Sequence, residues 1–101
     1  PESKYVSDAK KNRTKIYQMI VEKEIYIADF YFKRQQYDSA FSRYEGVFKK
    51  YPDSTLFNKA VARAAISAFR QGQSEQAKKL IKAVSDIQND SDIQAAIKEI
   101  K

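Results

Sequence analysis

The chain has 101 residues, 43% of them hydrophobic and 32% charged, with a net charge of +6, two Gly and two Pro. This composition excludes a disordered chain and disfavours a turn-rich all-β fold; it suits one small domain of helices with short connections. With no Cys and no His, disulfides, thiolate nucleophiles, imidazole bases and metal sites built on them are excluded, and no apolar run approaches the roughly 20 residues of a membrane span.

Between Lys4 and Gln35 there is neither Gly nor Pro, and apolar residues recur from Tyr5 to Tyr31. The spacing predicts one long helix over 4–35, about 48 Å at 1.5 Å per residue. Only its second half can pair with the helix that follows. The first half, residues 4–20, must pack elsewhere, most simply on a preceding repeat. Exposure of Tyr5, Ile16 and Met19 is then expected, as a mark of a fragment of a larger protein or of a partner site. The start at Pro1, with no initiator Met, supports the fragment reading.

The next helix is expected from Asp38 to just before Pro52. Tyr37, Ala40, Phe41, Tyr44, Val47, Phe48 and Tyr51 recur at i, i+3, i+4 and i+7. After a cap region at Asp53-Ser54-Thr55 comes a stripe of Phe57, Ala60, Val61, Ala64, Ala65 and Ala68. Such small side chains imply close approach to neighbouring helices, and Gly72 suits a left-handed helix stop. Ser74 opens a fourth helix, striped by Ala77, Leu80, Ile81 and Val84. A fifth follows Asp90-Ser91, with Ile93, Ala96, Ile97 and Ile100 on one side.

An internal repeat orders these elements. At an offset of 37 residues Phe32 aligns with Phe69, Lys33 with Arg70, Gln36 with Gln73, Ala40 with Ala77 and Val47 with Val84. That period is close to one helix-turn-helix unit. Residues 21–54 are similar to the tetratricopeptide (TPR) pattern: Ala28 and Ala40 take its small positions, Tyr31 and Tyr44 its aromatic ones, and Pro52 its last. Glu24 and Ile27 depart from the usual Trp and Leu. The expected fold is all-α, with TPR-like helical hairpins in an α-α superhelix of about five helices. It forms a single domain over 1–101, with the best unit at 21–54, a degenerate second unit at 55–89 and a terminal helix at 90–101.

Longer strings carry a closer resemblance. Pro1–Tyr5 with Asp8-Ala9-Lys10, then Glu24–Arg34, Ser42–Ser54 and Ala68–Gln73 through Ala77, resemble the C-terminal part of the BamD family. These are TPR lipoproteins of the outer-membrane β-barrel assembly machine. The resemblance covers about residues 1–85; the segment 90–101 departs from it as an extra helix. It implies a non-catalytic protein-binding scaffold at the periplasmic face of the outer membrane of a Gram-negative bacterium. Its partners would be a BamA-like POTRA domain and small accessory lipoproteins. Membrane association would come only through a lipidated N-terminal anchor absent from residues 1–101. The residues alone also fit a TPR adaptor of another envelope complex, such as a Tol-Pal-linked periplasmic coordinator.

Candidate site residues follow. Arg43 matches the family's Arg in an Arg-x-Glu-Gly string at the BamA contact, completed here by Glu45 and Gly46. The helical phase turns Arg43 away from the apolar stripe, free to pair with a partner carboxylate or in a local ion pair. Gly46, in mid-helix, implies close packing of a crossing helix or close approach of a partner. Glu22, Ile25, Asp29, Phe32 and Lys33 take helix positions that line the concave groove in TPR proteins. The 13% aromatic content belongs to helix stripes and core packing. Basic residues are spread along the chain, densest at Lys10, Lys11, Arg13 and Lys15, and read as a solvated helical surface rather than a nucleic-acid site. No Gly-rich phosphate loop or metal-like carboxylate spacing occurs, so no enzyme activity, cofactor or metal is expected.

Overall fold

The computed structural model describes residues 2–84 and 90–100, with side chains from residue 14 onward. Five helices follow in order: α1 (Glu2–Lys33), α2 (Tyr37–Lys50), α3 (Phe57–Arg70), α4 (Ser74–Ala83) and α5 (Ser91–Ile100). The protein is an all-α, TPR-like helical repeat. The long first helix expected over 4–35 runs two residues earlier and stops two residues sooner. Its length accounts for the elongated shape, 55 × 29 × 18 Å. The other helices begin and end within a residue or two of the punctuation read from the sequence.

The 37-residue repeat is exact in backbone hydrogen bonding. At the end of α1 the Gln35 N–H donates to Phe32 O and the Gln36 N–H to Tyr31 O. At the end of α3 the Gly72 N–H donates to Phe69 O and the Gln73 N–H to Ala68 O. Both are Schellman motifs, in which a left-handed residue lets the chain turn back and satisfy the last carbonyls. The left-handed positions are Gln35 (φ 63°) and Gly72 (φ 87°). In each hairpin the next glutamine, Gln36 or Gln73, is the N-cap residue of the second helix.

The core has two lobes that share α3. The first joins Val21, Ile25 and Ala28 of α1 to Ala40, Tyr44 and Val47 of α2 and to Ala60 and Ala64 of α3. The second joins Val61, Ala62, Ala65, Ile66 and Ala68 of α3 to Ala77 and Ile81 of α4 and to Ile93, Ala96 and Ile100 of α5. The alanines that align across the repeat, Ala40 with Ala77 and Ala28 with Ala65, are all fully buried. Small residues there let helix axes approach closely, as their spacing predicted. α5 covers α3 and α4, and the Asp90 carboxylate caps it by accepting from the Ile93 N–H at 3.1 Å.

α1 meets the end of α2 already at Tyr17, inside the 4–20 segment expected to pack elsewhere. The Tyr17 hydroxyl donates to Lys50 O at 3.1 Å, and its ring meets Tyr51 edge-on at 4.6 Å. Ile16 and Met19 are exposed as expected; Tyr5 lies outside the described side chains. The core placement of the aromatics is corrected at three positions, because Tyr17, Tyr26 and Phe30 stand exposed on α1.

A Gln at a left-handed position carries strain that glycine does not. Gln35→Gly is therefore expected to raise unfolding free energy by about 0.5–1 kcal/mol, and Gly72→Ala to lower it by about 1 kcal/mol. Urea unfolding followed by circular dichroism measures both; equal and opposite signs at matched repeat positions are the expected result.

Candidate protein-docking surface

The groove positions on α1 divide sharply. Ile25 is 4% exposed and belongs to the first core lobe, so its placement in an open groove is corrected. Helical periodicity put it at the edge of the stripe, and only packing against α2 decided the side. Glu22 and Lys33 are exposed, and Glu22 accepts from Gln18 Nε2 at 3.2 Å. Asp29 and Phe32 lie between them and are engaged inside the protein.

Asp29 joins three helices. Its Oδ1 accepts from the Tyr44 hydroxyl of α2 and from Arg63 Nη1 of α3 at 2.6 Å. Its Oδ2 lies 3.5 Å from Lys59 Nζ, also on α3. A part-buried carboxylate with two cations and a phenol around it is satisfied rather than free to bind. Burial pushes the Tyr44 hydroxyl well above the ordinary tyrosine range, and its hydrogen bond to Asp29 adds to the rise.

Phe32 sits next to this cluster. Its ring meets Tyr37 and Tyr44 edge-on, at 5.7 and 6.1 Å. The Arg63 and Arg70 guanidinium groups lie over it at 5.6 and 5.4 Å. Arg70 then binds Glu99 of α5 through two bonds, 3.0 and 2.8 Å, and donates to the Tyr37 hydroxyl at 2.8 Å. The Glu99 and Tyr37 bonds push the Arg70 guanidinium up, so it stays charged. The sequence offered no local signal for this chain of contacts, because its members stand on different helices.

The Arg43-Tyr44-Glu45-Gly46 string is split by the helix, which advances about 100° per residue. Tyr44 points inward and is fully buried. Arg43 and Gly46 share an outward stripe with Ser39 and Lys50. Glu45 lies on the adjoining flank, 3.5 Å from Lys49. The Arg43 side chain is 46% exposed, and its Nη1 reaches Glu24 Oε2 of α1 at 3.4 Å. It thus sits on the outer surface as expected, in a long ion pair that bridges helices. Glu24, which departs from the TPR pattern and opens the Glu24–Arg34 string, borders the Arg43 stripe.

Gly46 corrects a second expectation. A Cβ built there meets no atom within 4 Å, so no crossing helix packs on it. Nothing inside the described protein requires a glycine at that position.

Among the described residues no group of acidic side chains could hold a metal ion, and no described helix is long and apolar enough to cross a membrane. Helical hairpins carrying an exposed, mixed-charge stripe define a TPR-like helical repeat protein. A family model described as outer membrane lipoprotein, YfiO, matches residues 1–100. The chain belongs to this family, the BamD family of outer-membrane assembly lipoproteins. Neither the curated proteins nor the solved structures contain a match to the chain. The family is non-enzymatic and places the chain in the cell envelope, among protein partners in outer membrane assembly.

Two outcomes follow. Gly46→Ala is expected to stabilise the protein by about 1 kcal/mol, as for an exposed helix interior, measured by chemical unfolding. Tyr44→Phe removes one hydrogen bond to Asp29 and is expected to cost about 1–2 kcal/mol at neutral pH. The folded Tyr44 holds its proton more tightly than the unfolded chain, so its contribution is complete below about pH 10, the ordinary tyrosine value. It is lost as pH climbs above that value. The stability gap between wild type and Tyr44→Phe should be level up to about pH 10 and shrink beyond it.

Proposed function

We propose that this chain is a non-catalytic docking scaffold that holds a BamA-like POTRA domain on the outer stripe of α2. In this reading it helps assemble and insert β-barrel proteins into the outer membrane. Arg43 and Gly46 form the centre of the contact, with Glu45 and Glu24 at its edges. Small accessory lipoproteins of the same complex are further partners. Glu22 and Lys33 remain as open positions of the concave groove. The scaffold works at the periplasmic face of the outer membrane, held there by a lipid anchor outside residues 1–101.

The observation that carries this reading is Gly46. A glycine in mid-helix costs on the order of 1 kcal/mol relative to alanine, yet among the described residues no neighbour occupies the space above it. That cost is offset if a partner's backbone approaches there. Arg43, on the same stripe, supports the reading from a second side. Its ion pair with Glu24 is long and partly solvated, so the planar fork can turn to a partner carboxylate with little loss.

Isothermal titration of the chain with a BamA-type POTRA domain tests the proposal. Arg43→Glu is expected to weaken binding about tenfold or more, through like-charge repulsion at the contact. Gly46→Leu has room in the free protein and should leave its unfolding midpoint intact while abolishing binding. Wild-type affinity in both variants would remove this stripe from the interface.

A further inference from the structure

The outer face of α1 carries a stripe that the fold leaves uncovered. Met19 is 61% exposed, Ile20 42% and Phe30 47%, and Tyr26 reaches 76%. They lie on the side opposite the buried Val21, Ile25 and Ala28 stripe, at helical spacing. Isolated exposed apolar residues are ordinary, but an aligned row along one helix marks an interaction surface.

The internal repeat shows what such a face receives. In the second hairpin, α3 takes the place that residues 20–33 of α1 take in the first. Leu56, just before α3, and Ala60 and Ala64 on it pack in the core lobe with Tyr44 and Val47, and the Phe57 ring meets Phe48 of α2 edge-on. Subtracting 37 residues gives Met19, Ile20, Lys23 and Ile27; Met19 and Ile20 belong to the exposed row, Lys23 is exposed beside it and Ile27 is half-buried at its edge. α2 runs antiparallel along α3: Phe48 near its end meets Phe57, and Tyr37 at its start meets Arg70. Among the described residues no helix does the same on α1. The residues that would correspond to α2 under the same offset are 2–13, and they continue straight into α1 as one helix. Residues 2–13 therefore do not fold back over this face.

Charge narrows the occupant. Lys15, Lys23 and Lys33 along this side have no ion pair among the described residues, and the Arg34 guanidinium stacks on the Phe30 ring at 4.3 Å. Among the described residues Glu22 is the carboxylate beside the row. A second copy pairing through the same face would bring these cations together, which disfavours self-association.

We propose that the outer face of α1 docks an amphipathic helix of a partner protein, lying antiparallel along residues 19–30 as α2 lies along α3. Its apolar stripe packs on Met19, Ile20, Ile27 and Phe30, and flanking carboxylates pair with Lys15, Lys23 and Lys33. This site is separate from the Arg43 stripe and makes the scaffold two-sided.

The test uses two synthetic helical peptides that share the apolar positions of α2, one flanked by Glu and one by Lys, titrated onto the chain by fluorescence anisotropy. The Glu peptide is expected to bind at least tenfold tighter than the Lys peptide. Phe30→Glu should weaken it tenfold or more, and Lys23→Glu should shift preference toward the Lys peptide. Circular dichroism confirms that both exposed-site variants keep their fold. Arg43→Glu should leave peptide binding unchanged, which separates this proposal from the POTRA reading. Equal binding of the two peptides, or no effect of Lys23→Glu, overturns it. So does dimerisation of the chain that Phe30→Glu abolishes, or binding to phosphatidylglycerol vesicles that Phe30→Glu abolishes while neither peptide binds.

Discussion

Close approach of helices at alanine is the constraint from which the architecture follows. A helix with one apolar face must find a neighbour, and how near it comes is set by the side chains at the contact. Here Ala28 and Ala40 are buried together in the first lobe, and Ala65 and Ala77 in the second. Each hairpin closes on one such pair, and each turns through a left-handed residue two positions after its first helix ends. α3 serves both lobes, so eight of its residues are buried. It can do so because most of them are alanine, small enough to sit between helices on several sides.

Polar contacts then fix how the hairpins sit on one another. Asp29 receives a phenol from α2 and two cations from α3. Removing any one partner leaves the carboxylate held by the others, whereas removing Asp29 leaves two cations on α3 uncompensated. Phe32 extends the same seam, and Arg70 carries it on to Glu99 of α5. Hydrophobic packing is tolerant of small rotations between helices; bidentate and edge-on contacts are not. This seam makes α1, α2, α3 and α5 one scaffold rather than a loose stack.

The surfaces left over have a different character. The α2 stripe carries a glycine that the interior does not need and an arginine in a partial ion pair. The α1 face carries an apolar row rimmed by lysines. Neither contributes much to stability, and both are consistent with a family that works by holding protein partners. Placing the two on different helices of a rigid core lets one chain set the distance between two bound elements.

Much of the fold was legible because helices announce themselves locally. The long gap without Gly or Pro defined α1, the stripe from Tyr37 to Tyr51 defined α2, and the offset pairing Gln36 with Gln73 exposed a repeat that holds in the hydrogen bonds. The outward turn of Arg43 and the exposure of Ile16 and Met19 were also readable, because helical phase decides them. Periodicity could not say what lies above a surface position. Gly46 therefore read as a packing site until the space over it proved open, and Ile25 read as a groove residue until α2 buried it. Nor could spacing reveal that Asp29, Tyr44, Lys59 and Arg63 meet, since their distances along the chain carry no information about charges brought together by folding. The sequence by itself determined the helices, their order and their repeat, because these depend on side-chain phase within a few turns. Tertiary structure alone decided which polar residues hold the scaffold together and which stand free, because burial depends on neighbours that only the packed hairpins supply.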